Sequence, residues 1–525
     1  MFYFFIFIVS LVLSALLTLL VKKLALLWGI VDWPDKSGEP GRKIHKNPTP
    51  LLGGLAIFIT YFTLLFLLRD YFLAGDLDWP HLLAFFCGGL IIIIGGSLDD
   101  KYNLPPRWQI VFPLLAIMVL LIGGVGIAKI TNPFGGFIDL SSWKFLGMVL
   151  IAIWLLGMMY TTKLLDGVDG LVSGVGAIGA VVIFLFTLTT RYYQPDIALA
   201  AILLVGSVSG FLIFNWHPAK IFLGEGGSLL LGYILGVLAI ISGGKIAIAL
   251  LVMGFPILDV AWTIIRRLSQ GKNPFRFADK KHLHHRLLAL GLGQRKTVLV
   301  FYSLSLVFGL SGLFLQSRGK FLMLIILMAL MLVVVVAFNI LDRRHFSDKP
   351  SLLLHICCAP CSSFISRERL LPNYRLTWYF YNSNLNSQEE YDKRLSAVKK
   401  VARQFNIPLI IEPYRHAVWQ ELIKGREMDQ ERGARCQICY RDRLAKTAAL
   451  ASRRGFNFFS TSLLVSPYKD TRAIMAMSRQ LAGELGVKFL EDDFQSNDIY
   501  RRSQELAKEL DLYRQKFCGC EFSKR

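Results

Sequence analysis

The sequence predicts a multi-pass α-helical membrane domain of about eleven transmembrane helices, followed by a soluble α/β domain with a mostly parallel, Rossmann-like sheet. Three observations predict it. Of the 525 residues, 54% are apolar and only 18% charged, with a mean hydropathy of +0.49, whereas soluble domains carry about 25% charge. The charge is also uneven: residues 1–350 hold 29 Lys+Arg and 17 Asp+Glu, and residues 351–525 hold 29 and 20. Finally, seven of the eight cysteines lie between residues 357 and 520, leaving only Cys87 elsewhere. A wholly soluble enzyme, a disordered chain and a disulfide-stapled secreted chain are thereby excluded. The chain divides into a membrane domain (1–340), a short polar linker (341–350, LDRRHFSDKP) and a soluble domain (351–525).

A transmembrane helix needs about 20 mostly apolar residues. The first such run, 2–21, has no basic residue before it and Lys22 and Lys23 directly after it. That is the reverse of a signal peptide, so it reads as an uncleaved helix with its N-terminus outside. Further runs fall near 51–68, 82–97, 109–126, 144–161, 171–190, 196–214, 228–242, 246–265, 297–315 and 321–340. Eleven crossings return the chain to the cytoplasm. Segments then placed inside carry about 22 Lys+Arg and those outside about seven, as the positive-inside rule requires. The expected location is the inner cell membrane, with the soluble domain in the cytoplasm.

On this topology Asp99, Asp100, Asp166, Asp169, Glu225, His282, His284 and His285 all fall on the cytoplasmic side. Any one of them is ordinarily a solvated loop group. Five carboxylates on one face, beside Gly-rich turns, instead point to function. A carboxylate set without matching cysteines or clustered imidazoles suits a hard cation, Mg²⁺ or Mn²⁺, which bridges protein oxygens and substrate phosphates. The basic loops would hold an anionic substrate.

Five segments in order, HKNPTPLLGG (45–54), SLDDKYNLPPRWQ (97–109), LLDGVDGLVSG (164–174), FLGEGGSLLLGY (222–233) and PFRFADKKHLHHRLLALG (274–291), resemble the polyprenyl-phosphate N-acetylhexosamine-1-phosphate transferases of glycosyltransferase family 4. The HLHHRL form is similar to the branch using UDP-N-acetylglucosamine-type donors. The resemblance implies transfer of a sugar 1-phosphate from a UDP-N-acetylhexosamine to polyprenyl phosphate, a membrane lipid, with UMP leaving. It assigns Asp99 and Asp100 to the lipid phosphate and Asp166 and Asp169 to metal and nucleotide. Asp169 and Glu225 would ligate Mg²⁺; His282, His284 and His285 would contact the donor, and His45, Lys46 and Thr49 bind substrate. Two residues depart from the family pattern. Glu225 stands where Asp is usual, and Lys163 where Asn is usual; a lysine there can pair with a carboxylate or with a phosphate.

In the soluble domain, apolar runs at 352–357, 376–381, 407–414, 456–465 and 487–494 alternate with amphipathic segments such as 389–404 and 470–485. Strands alternating with helices predict a parallel α/β sheet, whose ligands gather beyond the strands' carboxyl ends. The first strand ends at Cys357. The cysteines form CCAPC (357, 358, 361), CQIC (436, 439) and CGC (518, 520). In a cytosolic domain this favours metal or redox chemistry over structural disulfides. On spacing alone an iron–sulfur cluster with a redox pair, a zinc site and buried structural thiols all remain open.

HICCAPCSS, ERGARCQICYRDRLAKTA (431–448), STSLLVSPYK (460–469) and LYRQKFCGCEFS (512–523) resemble the cobalamin-independent epoxyqueuosine reductases, which reduce epoxyqueuosine to queuosine in tRNA. The resemblance implies a [4Fe–4S] cluster on Cys357, Cys358, Cys436 and Cys439, and a redox-active disulfide between Cys518 and Cys520 supplied by an electron donor. Cys361 is left over, either as a buried thiol or as a ligand to a second metal with Asp493. Gln495 stands where the family usually has a basic residue. The domain's balance of +9 (29 minus 20) is compatible with a phosphate backbone. Tyr440, Tyr468 and Tyr513 beside Arg441, Lys469 and Arg514 would stack bases and bind phosphates, or else be solvated helix ends. The overall expectation is a bifunctional fusion. Its alternatives are a transferase with a non-catalytic metal-binding domain, or two neighbouring genes read as one frame.

Overall fold

The structure, a computed structural model, describes residues 1–33, 48–75, 77–127, 129–132, 134–189, 193–242, 246–269, 282–492, 494, 498–515 and 517–523, without the side chains of Thr131 and of 342–348. His45, Lys46, Asp493 and Gln495 therefore lie outside the described residues. The chain forms two compact units that divide between Phe338 and Asn339.

The N-terminal unit is helical: α1 Phe2–Leu27, α2 Gly53–Leu67, α3 Trp79–Tyr102, α4 Val111–Ile122, α5 Lys144–Leu165, α6 Leu171–Thr187, α7 Pro195–Asn215, α8 Gly224–Ile241, α9 Ile246–Ser269, α10 Leu283–Ala289, α11 Gly293–Phe314 and α12 Ser317–Asp348. Among the described residues, eight helices are long and apolar enough to cross a membrane, and Gly53–Leu67, Pro106–Ile122 and Leu171–Thr187 are shorter apolar helices. Each of the eleven apolar runs is thus helical, but eight meet the length for a span; the count of eleven depends on the three short ones. Helix α12 continues through residues 341–348, which the sequence reading had as a polar join.

Two glycine contacts fix the centre of this unit. A Cβ on Gly96 would lie 2.1 Å from the Gly226 Cα, and one on Gly54 2.1 Å from the Gly227 Cα. Only a glycine backbone allows α2 and α3 to approach the start of α8 this closely. The segment 50–54 is also tied to 222–223 by backbone bonds: Phe222 N donates to Pro50 O, Gly53 N to Phe222 O, and Gly54 N to Leu223 O, each at 2.9 Å. Motifs far apart in sequence are thereby brought to one place.

The C-terminal unit carries five strands, β1 Ser351–Ile356, β2 Arg375–Phe380, β3 Leu409–Ile411, β4 Phe458–Thr461 and β5 Lys488–Phe489. They form one parallel sheet in the order β3-β2-β1-β4-β5. All five predicted strands are present. Leu352, Leu353, Leu354 and Ile356 of β1 are fully buried with Trp378, Phe380 and Phe459 from its neighbours, as expected of a central strand covered on both faces. The crossovers include α13 Ala359–Ile365, α14 Gln388–Phe405, α15 His416–Leu422, α16 Ala434–Arg453 and α17 Thr471–Leu485, followed by α18 Ile499–Glu509. The strand order reverses at β1, which pairs with β2 on one side and β4 on the other. The crevice beyond the end of β1 is where such a sheet binds ligands.

Candidate active sites

Asp99 and Asp100 occupy the last turn of α3. Asp99 Oδ1 accepts from Leu104 N at 2.8 Å and from Gln109 Nε2 at 3.2 Å, which secures the turn leaving the helix and aims the other oxygen inward. Asp100 accepts from the Glu225 amide with both oxygens, at 3.1 and 3.2 Å. It thus satisfies a donor at the start of α8, where the helix leaves N–H groups unpaired and favours negative charge. Gly224 makes this possible, since a Cβ there would lie 2.4 Å from Asp100 Oδ2 and the residue has φ +74°.

The DGVDG turn joins α5 to α6 and is held by Asn215, whose Oδ1 accepts from Gly170 N at 3.2 Å and from Ser173 Oγ at 2.7 Å. Its two carboxylates differ. Asp169 Oδ2 bonds His217 Nδ1 at 2.7 Å and accepts from Ala219 N at 3.1 Å. The Asp166 backbone N–H donates to Lys163 O at 3.4 Å, its carboxylate makes no side-chain hydrogen bond among the described residues, and the residue is exposed. Asp166 stands within electrostatic range of Glu225 and Asp169, and Asp100 within range of Glu225, Asp99 and Asp166. The five carboxylates therefore lie in one region of the N-terminal unit. Their oxygen donors are of the kind a hard divalent cation takes, although among the described residues the one set whose ligand atoms lie close enough together to hold an ion is Cys357, Cys358 and Cys361.

The histidines join this cluster from α10. His282 Nδ1 bonds Asp259 Oδ2 at 2.9 Å in a buried pair, and Leu283 N donates to Asp259 Oδ1 at 3.0 Å. His284 stacks on His282, with ring centroids 5.6 Å apart, and lies 4.3 Å from the His285 ring. A Cβ on Gly167 would meet His284 Nε2 at 2.8 Å and His285 Nε2 at 3.5 Å, so these imidazoles rest directly on the DGVDG turn. Thr49 is buried in a two-residue ladder in which Val31 and Asp32 pair with Pro50 and Thr49.

Sequence reading missed three members. His217 holds Asp169 by one hydrogen bond and Asp259 holds His282 and the Leu283 amide by one each; a lone His after Trp216 and a lone Asp within an apolar helix carry no spacing signal. The third is Gln109, whose Oε1 accepts from Lys163 Nζ at 3.0 Å. Lys163 also pairs with Glu225 Oε2 at 2.9 Å and lies 4.0 Å from Asp99 Oδ2. Of the two options open for this lysine, it pairs with carboxylate.

In the C-terminal unit Cys357 follows β1 at the switch point. Its amide donates to Ser462 Oγ, just past β4, at 3.0 Å, and that hydroxyl donates to Cys357 Sγ at 3.3 Å. Buried His355 ties the three strand ends together, through Thr461 Oγ1 at 2.9 Å and Tyr381 O at 2.9 Å; burial pushes its imidazole down to about 4. The thiols of Cys357, Cys358 and Cys361 lie within 4.8 Å of one another and can hold a metal ion. Hydrogen bonds from Cys358 and Cys361 hold the Cys357 thiol well below its usual range. Cys361, the leftover of the sequence reading, thus belongs geometrically with the CC pair.

Cys436 and Cys439 enter from the first turns of α16. Cys436 Sγ accepts from Arg432 N at 3.3 Å, and Cys439 Sγ from Arg443 at 3.1 Å. They are not part of the three-thiol group. The CGC segment approaches from the C-terminal tail: Cys520 is buried with Cys439, Trp419 and Ile423, and Lys469 Nζ donates to Cys518 Sγ at 2.5 Å. Burial pushes the Cys518 thiol up, but the charges of Lys469 and Arg443 outweigh it and leave the thiol below its ordinary value. Arg443 lies within electrostatic range of Cys439, Cys518 and Cys357, so all three cysteine motifs share one neighbourhood. All are free thiols in this structure. The aromatic reading needs correction: Tyr440 is buried in the core, and Lys469 faces Cys518 instead of solvent. Tyr513 hydrogen-bonds Glu390 Oε2 at 2.7 Å and is 37% exposed, while Tyr468 is 69% exposed.

The structure thus holds an apolar helical unit with a cluster of carboxylates and a parallel α/β unit with a group of thiols. Residues 82–243 match Glycosyl transferase family 4, and residues 352–525 match Epoxyqueuosine reductase QueH. A probable undecaprenyl-phosphate N-acetylglucosaminyl 1-phosphate transferase from Bacillus subtilis (strain 168) is 33% identical over 350 residues, covering 66% of this chain and 93% of that protein. The QueH reductase of Dehalococcoides mccartyi is 36% identical over 174 residues, covering 33% of this chain and 92% of that protein. That of Streptococcus pyogenes serotype M1 is 35% identical over 183 residues, covering 34% and 71%. The chain is a fusion that belongs to both families, the glycosyl transferases of family 4 through its N-terminal part and the QueH epoxyqueuosine reductases through its C-terminal part.

Proposed function

We propose that the chain is a bifunctional enzyme of the inner membrane. The N-terminal unit transfers N-acetylhexosamine 1-phosphate from a UDP-sugar to polyprenyl phosphate, and the C-terminal unit reduces epoxyqueuosine to queuosine in tRNA on the cytoplasmic side. The observation that supports it most is convergence. Motifs scattered from residue 99 to 285 meet at one carboxylate cluster, and cysteines from 357 to 520 meet beyond one strand end.

In the transferase, Asp166, Asp169 and Glu225 would hold Mg²⁺ or Mn²⁺, which when bound offsets the charge on the donor's diphosphate. Phosphoryl transfer asks mainly for positioning and charge neutralisation. Asp100 sits where the lipid phosphate would meet the start of α8. His284 and His285, resting on Gly167, are arranged to contact the donor, with His282 oriented by Asp259.

In the reductase, Cys357, Cys358, Cys436 and Cys439 would hold the [4Fe–4S] cluster, with Cys361 available to a second metal. The soft thiolate donor set fits such a group. When bound, the cluster supplies one-electron chemistry. Reducing the epoxide to an alkene takes two electrons and two protons and releases water. Oxidation of the Cys518 and Cys520 thiols to a disulfide provides two electrons and two protons, and an external electron donor restores them. Lys469 favours the more reactive thiolate form of Cys518.

The test assays the full chain in detergent for both reactions. UMP release dependent on polyprenyl phosphate, and queuosine formation in epoxyqueuosine-tRNA, are expected from one preparation. Absence of either activity from a protein with normal metal content overturns that half of the reading.

A further inference from the structure

Lys163 and Glu225, the two positions at which the N-terminal part departs from the pattern of its resemblance, touch each other. Lys163 ends α5 and Glu225 begins α8, and no local spacing relates them. The lysine side chain is 14% exposed, and its ammonium is 2.9 Å from Glu225 Oε2, 3.0 Å from Gln109 Oε1 and 4.0 Å from Asp99 Oδ2. The Tyr160 ring lies 6.0 Å away. The charged groups facing the ammonium are thus two carboxylates of the cluster itself. A positive charge is already built into the Glu225 side of this site, while the carboxylate of Asp166 on the DGVDG turn makes no side-chain hydrogen bond among the described residues.

We propose that Lys163 is a tethered cation that competes with a divalent metal ion for Glu225, and so sets how weakly the cluster binds that ion. The inference rests on reading the cluster as a metal site. An ammonium and a dication repel at contact distances. A metal that ligates Glu225 must therefore displace Lys163 Nζ, or bind without Glu225 and against the lysine's field. Either way the lysine lowers metal affinity. In return the site keeps a positive charge for substrate phosphates when the ion is away. The residue acts through Glu225 and the metal, as a positioning residue. Glutamate is long enough to reach the lysine from the first turn of α8, so the two departures form one unit.

The test is Mn²⁺ binding to the full detergent-purified chain without substrate, read from the free-ion electron paramagnetic resonance signal. Lys163→Asn should bind Mn²⁺ at least about tenfold tighter than the unaltered chain, while Lys163→Arg, which keeps the charge, should stay near the unaltered affinity. Glu225→Gln in the Lys163→Asn background should lose most of the gain. Lys163→Gln gives the same readout if the Asn variant elutes as aggregate. Unchanged or weaker Mn²⁺ binding in the charge-removing variants, with binding still lost in Asp166→Asn, overturns the role of Lys163 and leaves the metal site standing. No Mn²⁺ bound by any form overturns both.

Discussion

The two sites solve one problem, a cluster of anionic ligands, with opposite materials. In the membrane unit the donors are hard carboxylates at helix ends. Backbone amides hold several of them: Leu104 for Asp99, Glu225 for Asp100 and Ala219 for Asp169. In the soluble unit the donors are soft thiols beyond a strand end, in the first turns of a helix and in the C-terminal segment, and cations hold them: buried Arg443 on Cys439 and half-buried Lys469 on Cys518. Each site carries its own lysine, to different effect. Lys163 pairs with a carboxylate of its cluster, whereas Lys469 favours the thiolate form of Cys518. A protein cation beside an anionic centre therefore occupies a carboxylate in one case and lowers a thiol's pKa in the other.

The comparison breaks most visibly at the thiols. Replacing Cys436 or Cys439 by Ala should remove bound iron, bleach the visible spectrum and abolish queuosine formation, because cluster assembly depends on each ligand. Sugar-1-phosphate transfer by the same preparation should be unaffected. Cys518→Ser should keep the spectrum and yet fail over many turnovers; loss of iron as complete as in Cys436→Ala would move the CGC motif into the metal site.

Next come the carboxylates. Asp100→Asn and Asp166→Asn should each lower transfer by at least roughly tenfold, about 1.4 kcal/mol of barrier, with the reductase unchanged. Full transfer by Asp100→Asn, or full activity without divalent metal, contradicts the assignment.

The lysine of the thiol site offers a pH test. Lys469 favours the charged form of Cys518, so Lys469→Met should raise the thiol's pKa and leave less thiolate at pH 7. Iodoacetamide labelling of Cys518, followed against pH by peptide mass spectrometry, should shift its midpoint upward. A midpoint that stays or falls shows that Lys469 does not hold the thiolate. The smallest expected effect is Glu225→Asp, which restores the usual residue and should retain or improve transfer, while Glu225→Gln should lose it.

Much of this was legible in the sequence. Five apolar runs alternating with amphipathic segments became five parallel strands, because periodicity reports burial directly. Asp99, Asp100, Asp166, Asp169 and Glu225 could be singled out because acidic residues at the ends of apolar helices stand out. The second layer of residues was not. His217 and Asp259 are single residues in unremarkable contexts, and their roles exist only once α7, α9 and α10 lie beside the DGVDG turn. Lys163 illustrates the same limit, since its departure was visible but its choice of Glu225 depends on where α8 starts. Lys469 is legible in the sequence only as a phosphate contact or a solvated helix end, because the sequence does not reveal that it lies against Cys518. Cys361 was left without a group because the turn that brings it to Cys357 and Cys358 is a matter of three-dimensional geometry.

The central claim is that one chain carries both centres. Anaerobic purification of the full-length protein, followed by iron and acid-labile sulfide analysis and a UV–visible spectrum on the fraction that releases UMP, tests it most directly. The account predicts a brown membrane protein in a single band near 59.2 kDa, with iron and sulfide in equal amounts and polyprenyl-phosphate-dependent UMP release. A colourless protein with stoichiometric zinc, or activities that separate into two smaller polypeptides, would contradict it.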